Sequence, residues 1–299
     1  MATGPSPPGP FQGLLPVGGA GLFYRHIGRG HPILVLHGGP DFDHNYLLPE
    51  MDRLAASFHL IYHDQRGRGR SAPGVEPEDV TIDSDVSDLD ELRRHFGLDS
   101  MAILGHSWGG ILAMEYAVRH PGRVSHLILM NSAPASFDDR LLFREHLLGL
   151  RPPGDVERMQ QLSESPEFKS GSIEVETEYY LTHFRVALPR PELVEQVVGR
   201  LRSHFSEETV LIARAIEHRL YEQTWLRPGY DLPRELSRHP VPTLVIHGDQ
   251  DFVPVELVSH IAEALPGSHF VVIPDCGHFA FLEHPDLVFE HIAAFIGGR

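Results

Sequence analysis

Residues Met101–Met114 begin as an apolar run, turn at Gly105-His106-Ser107-Trp108-Gly109 and continue with a helical pattern. A G-x-S-x-G sequence between a strand and a helix is a nucleophile elbow. The turn exposes the Ser107 hydroxyl above the sheet, and the following helix directs its positive end at it. Glycines are needed at 105 and 109 because a Cβ there would meet the neighbouring strand or helix. The Trp108 amide is then free to hold an oxyanion. A serine hydroxyl is a weak nucleophile at neutral pH, so it needs a base, and the base needs an orienting acid. In an open parallel sheet such groups come from loops at the carboxyl ends of strands. His278 lies just past the last apolar strand, in Asp275-Cys276-Gly277-His278-Phe279, and Gly248-Asp249-Gln250-Asp251 follows the strand before it. Asp251 is the preferred acid, Asp249 being suited to stabilising its own turn. The chain order serine, acid, histidine is the one that accompanies the elbow. A second oxyanion amide is expected from Gly38-Gly39-Pro40, where missing side chains allow close approach, and Gly39 is assigned to it. The expected chemistry is acyl transfer.

Other reactive residue types have plainer readings. The chain holds 21 histidines, so a histidine by itself says little. His37 is read as structural and His106 as packing within the turn. Arg66-Gly67-Arg68-Gly69-Arg70 lacks the Lys-Ser/Thr ending of a phosphate loop and the dinucleotide spacing, and is read as a structural turn. His278, Glu283 and His284 do not have zinc-ligand spacing, so no metal and no cofactor is expected. Cys276 is read as a small buried filler.

The elements that must position these residues alternate. Gly21–His26 reads as an edge strand. Pro32–His37, Phe58–Tyr62, Val124–Met130, Pro242–His247 and Phe270–Ile273 read as further strands, several of them continuous apolar runs of the kind buried on both faces. Helices are expected over Asn45–Ala56, Val80–Phe96, Pro254–Leu265 and Pro285–Ile296. Strand-like runs vanish from about residue 137 to 237. Proline-punctuated helical segments replace them, at Leu141–Leu150, Val156–Leu162, Val175–Phe184, Glu192–Phe205 and Glu207–Glu222. The fold class is therefore α/β, a mostly parallel central sheet with helices on both faces and a helical insertion. The expected division is a disordered segment over 1–18, a first core part over 19–136, the helical insertion over 137–237 and a second core part over 238–299.

Composition bounds the function. The 299 residues are 41% hydrophobic, with a formal net charge of −16 and one cysteine. No basic stripe exists to meet phosphates, so nucleic acid is not an expected partner. No apolar run reaches the ~18 residues of a membrane span, and residues 1–10 lack the features of a secretory signal. A single cysteine cannot form an internal disulfide, which fits a reducing, cytoplasmic setting. The expected partner is a small molecule or short peptide, bound as substrate.

From about Gly21 to Phe295 the chain resembles the α/β-hydrolases. Within them, His37-Gly38-Gly39-Pro40, Asp64-Gln65-Arg66-Gly67 through Ser71, and Gly105-His106-Ser107-Trp108-Gly109-Gly110 resemble the proline iminopeptidases and related aminopeptidases. The resemblance implies that the insertion is a cap over the site and that Asp251, in a Gly-x-x-Asp pattern, is the acid. It also implies cap glutamates that hold the free amino terminus of the substrate. The stretch Ala213–Glu222 points to Glu217 for this role, with Glu222 second. Such a contact would be worth ~1.5–3 kcal/mol. Two positions depart from the pattern. Asp41 stands where a glycine is usual, and Phe252 follows Asp251 where some relatives carry a second amine-binding glutamate. The implied activity is release of N-terminal residues, proline among them, from short peptides or amides. A carboxylesterase or lactonase is the alternative, and a slow-turnover receptor a third reading.

Overall fold

The computed structural model describes residues 9–298. The chain runs through β1 (Phe11–Val17), β2 (Ala20–Gly28), β3 (His31–Leu36), β4 (Phe58–His63), α1 (Ile82–His95), β5 (Met101–His106), α2 (Trp108–Arg119) and β6 (Val124–Met130). A helical stretch follows: α3 (Phe137–Leu150), α4 (Pro153–Glu164), α5 (Pro166–Lys169), α6 (Ile173–Phe184), α7 (Glu192–Arg202), α8 (Glu207–Gln223) and α9 (Leu232–Leu236). Last come β7 (Thr243–Gly248), α10 (Val255–Ala264), β8 (His269–Ile273), α11 (Ala280–Glu283) and α12 (Pro285–Ile296).

One sheet of eight strands holds the molecule together, in the order β1-β2-β4-β3-β5-β6-β7-β8. β1 and β2, and β2 and β4, pair antiparallel, and the remaining pairs are parallel. Successive strand residues face opposite sides of a sheet. Every residue of β5 and of β7 is buried, so both faces of the sheet are covered there. That is why these strands read as unbroken apolar runs.

Local signals explain the helices. Thr81 and Ser84 form a reciprocal capping box at the start of α1, and Ser206 and Thr209 do so for α8. Acidic Asp83 and Asp85 open α1, and Arg93, Arg94 and His95 close it, in the order the helix dipole favours.

Three expectations are corrected. The disorder expected over residues 1–18 does not extend to Phe11–Val17, a strand paired residue for residue with β2. Residues 1–8 lie outside the described part. β2 is therefore not the edge of the sheet, because β1 covers its outer side. The expected helix over Asn45–Ala56 is instead two 3₁₀ segments, His44–Leu47 and Glu50–Ala56. Pro49 lies between them, offers no N–H and drives Leu48 into an extended conformation.

The helical stretch leaves and rejoins the sheet at one place. Ser136 bridges Asp231, Phe137 N–H donates to Tyr230 O at 2.8 Å and Leu232 N–H to Ala135 O at 3.1 Å. Among the described residues no helix is long and apolar enough to cross a membrane.

Candidate active site

The register of the sheet brings the key loops together. Leu36 pairs with Gly105, so the loops after β3 and β5 emerge side by side. Gly248 pairs with Ile273, and Asp249 N–H donates to Ile273 O at 3.0 Å, which does the same for the loops after β7 and β8. β6 lies between the two pairs.

At the end of β5 the backbone of Ser107 takes φ 56° and ψ −120°, a strained conformation for a residue with a side chain. The turn closes only on glycine. A Cβ on Gly105 would come within 2.2 Å of Gly109 O, and one on Gly109 within 2.4 Å of Leu36 O. Trp108 is the first residue of α2, so its N–H has no intrahelical acceptor.

His278 Nδ1 lies 3.0 and 2.9 Å from the two carboxylate oxygens of Asp251. An ionised carboxylate only accepts, so Nδ1 carries the proton and Nε2 of the neutral ring is left as a base. Burial alone would raise the Asp251 carboxyl. The imidazoles of His278 and His247 and the amide of Val253 outweigh it and hold the group below its ordinary value. Phe252 packs edge-on against the His278 ring, centroids 4.5 Å apart. Ser107 and His278 line one cavity of about 210 Å³, together with Gly39 and Glu217. Among the described residues no hydrogen bond joins Ser107 to His278, a contact that commonly tightens only when substrate is bound.

Glu217, on α8, accepts the Tyr221 hydroxyl at 2.8 Å. It keeps some accessible surface because it lines the cavity, yet burial and the nearby Asp41 push its carboxyl up to about 8. Glu222, the second choice for an amine anchor, is corrected. Its side chain is 59% exposed beside His218 and does not line the cavity. On an α-helix, residues five apart point about 140° away from each other, so both could not face inward.

Several positioning residues have no sequence signature. Asn131, at the end of β6, donates from Nδ2 to Asp251 Oδ2 and to Gly277 O, each at 2.9 Å. Glu283, in α11, accepts the amides of Gly277 and Phe279 at 3.1 Å, on either side of His278. His106 links three loops. Its Nε2–H donates to His278 O at 2.8 Å, and Nδ1 accepts the Tyr46 hydroxyl at 2.7 Å. The Tyr46 oxygen in turn accepts Gly38 N–H at 2.7 Å. Gly38 N–H is thereby occupied, which favours Gly39 as the oxyanion donor of that loop. Burial holds His106 neutral, its pKa pushed down to about 3. His183, on the cavity wall, is held neutral in the same way and also lies at about 3. Arg151 can only donate to His183 Nδ1, at 2.7 Å, so His183 carries its proton on Nε2.

The arginine-rich loop is structural. Arg66 pairs with Asp88 and Arg68 with Asp85, all four side chains almost fully buried. Arg68 also donates to Pro40 O at 2.9 Å, bracing the glycine loop. His37 is likewise structural, bonded to Gly38 O and the Gln65 amide. Cys276 is buried, and burial pushes its thiol up. Among the described residues no three His, Cys, Asp or Glu side chains are arranged to hold a metal ion.

Comparison with known proteins agrees with this architecture. The family model described as alpha/beta hydrolase fold matches residues 31–285. The proline iminopeptidase of Saccharolobus solfataricus is 28% identical over 286 residues, covering 91% of this chain and 87% of that protein. The proline iminopeptidase of Lactobacillus crispatus is 27% identical, covering 95% and 97%. The crystal structure of VinJ superposes with a TM-score of 0.75 at 23% identity, covering 96% and 98%. The chain belongs to the α/β-hydrolase fold family and is an enzyme of that family resembling the proline iminopeptidases.

Proposed function

We propose that the protein is a serine hydrolase that releases N-terminal residues from short peptides or amides by acyl transfer. His278 Nε2 takes the Ser107 proton as Oγ attacks the substrate carbonyl. The amides of Gly39 and Trp108 hold the oxyanion, and Asp251 stabilises the imidazolium. The intermediate collapses, His278 gives its proton to the leaving amine, and an acyl-serine remains. Water, deprotonated by His278, then attacks the acyl carbon; the proton returns to Ser107 and the acid product departs.

The observation that carries this reading is the meeting of Ser107 and His278 at one cavity, with His278 Nδ1 bonded to Asp251. The aminopeptidase part is supported by Glu217 on the cavity wall and by the names of the relatives, both proline iminopeptidases. In this reading the helices between β6 and β7 act as a cap, and Glu217 meets the substrate's ammonium.

A fluorophosphonate probe tests the first part. The protein should label rapidly and Ser107→Ala should not; a folded wild-type protein that stays unlabelled would overturn the reading. The second part is tested with alanyl and prolyl arylamides, free and N-acetylated. Glu217→Gln should raise KM for the free amines about ten-fold, the worth of one charge-assisted hydrogen bond. If N-acetylation does not slow the wild type, the amine-anchor role of Glu217 is wrong; turnover of 4-nitrophenyl esters with neither arylamide cleaved makes the enzyme an esterase or lactonase.

A further inference from the structure

We propose that Asp41 is a second receptor for the substrate's ammonium, so that two acids select an acyl group bearing a free α-amine: Asp41 against the oxyanion loop and Glu217 on α8. The inference rests on the acyl-transfer reading above and assigns it a residue that the family pattern does not supply.

Asp41 is only 3% exposed and lines the cavity with Ser107. A buried carboxylate is costly unless its oxygens find donors. Among the described residues Asp41 accepts one side-chain hydrogen bond, from the Tyr180 hydroxyl at 3.1 Å. A carboxylate has room for about four. The cation acting on it most strongly is Arg202. That guanidinium stacks on Phe205 at 3.9 Å, and none of its nitrogens finds a hydrogen-bond partner among the described residues. Asp41 is thus left with free acceptor capacity at the cavity.

Its position says what the capacity is for. A Cβ built on Gly39 would lie 3.0 Å from Asp41 Oδ1. The carboxylate therefore rests on the residue assigned to hold the oxyanion. In an α-aminoacyl group the nitrogen is two bonds, about 2.5 Å, from the carbonyl carbon. When the carbonyl oxygen points at Gly39, the α-ammonium must lie within a few ångströms of the oxyanion donors, where Asp41 sits. Glu217 faces the same space. Asp41 acts on it, and both acids act on Tyr180, Tyr221 and Arg214. Burial pushes both carboxyls up. Two acids in one cavity repel, and a bound cation relieves the repulsion.

The placement also has a cost, and the cost gives the test its sign. A negative charge beside Gly39 opposes the growth of an oxyanion on a neutral acyl group. With an ammonium bound, that penalty is cancelled. Removing the charge should therefore move two substrates in opposite directions.

The experiment compares the 4-nitrophenyl esters of alanine and of N-acetylalanine, which share a leaving group, on wild type, Asp41→Asn and Asp41→Gly. Asp41→Asn keeps the volume, and Asp41→Gly removes the side chain altogether, so the two carry different folding risks; thermal melting and fluorophosphonate labelling identify the folded ones. For the free amine kcat/KM should fall about ten-fold, and for the acetylated ester it should rise. A folded variant in which both substrates fall together makes Asp41 merely structural and overturns the proposal. So does an intact preference for the free amine. A wild type that shows no preference to begin with rejects instead the aminopeptidase reading on which the proposal rests.

Discussion

At the scale of single residues, the candidate triad depends on Asn131, a side chain that does not line the cavity. Asn131 occupies the left-handed region, φ 47°, which asparagine and glycine tolerate and other residues resist. Its amide ties Asp251 to the backbone of the His278 loop, so it fixes the direction from which the acid meets the imidazole. Asn131→Gly keeps the backbone conformation and deletes both donors. Unpaired buried acceptors cost about 1–3 kcal/mol. The melting temperature should fall by several degrees, at roughly 2–4 °C per kcal/mol, and kcat for a good ester by about ten-fold. Calorimetry and ester turnover check this, and movement in neither would show that Asp251 holds its place unaided. Sequence alone leads to Ser107, Asp251 and His278 as candidates, because a serine in an elbow directs the search for partners to particular loops. It does not lead to Asn131, because an amide bonded to carbonyls and a carboxylate leaves no spacing pattern. The same holds for the chain from Gly38 through Tyr46 and His106, where His106 is foreseen only as packing.

At the scale of elements, legibility follows burial. β3, β5, β6 and β7 are readable because a strand covered on both faces must be apolar throughout. β1 is not. It is the sheet edge, Leu14 is 64% exposed, and Pro16 and Gly13 dilute its pattern, so its composition resembles a loop. The segment 45–56 carries a helical apolar period, which Pro49 overrides. α11 is a single turn too short to have a period at all. Its importance lies in Glu283, which clamps the amides flanking His278 and thereby sets the height of the imidazole over the cavity. Glu283→Ala removes the acceptor for both amides. Under the proposed mechanism the loss should appear in kcat, by about ten-fold, and in slower fluorophosphonate labelling of Ser107, because a displaced base would activate the serine less well. Labelling at the wild-type rate would make α11 dispensable for the base.

At the scale of the whole molecule, the cavity is an acidic hollow in an acidic protein, and its cost should be measurable in the fold itself. Glu217 titrates at about 8 in the folded protein, against an ordinary value of 4.5. Between those two values the native state holds a proton that the unfolded chain has released. Stability must then fall as pH rises through that window, and level off once Glu217 ionises in both states. Asp41 is shifted in the same direction and adds to the slope. Glu217→Gln removes the titration while keeping the shape. The variant should therefore become progressively more stable than the wild type as pH rises from about 5 to 8, the difference then holding steady. Moderate salt should leave the trend in place, since buried charges are screened far less than surface ones. Thermal melts of the two proteins across this range read the difference directly. A difference that stays constant across this range would mean that Glu217 is already ionised in the empty site, held by a cation rather than waiting for one.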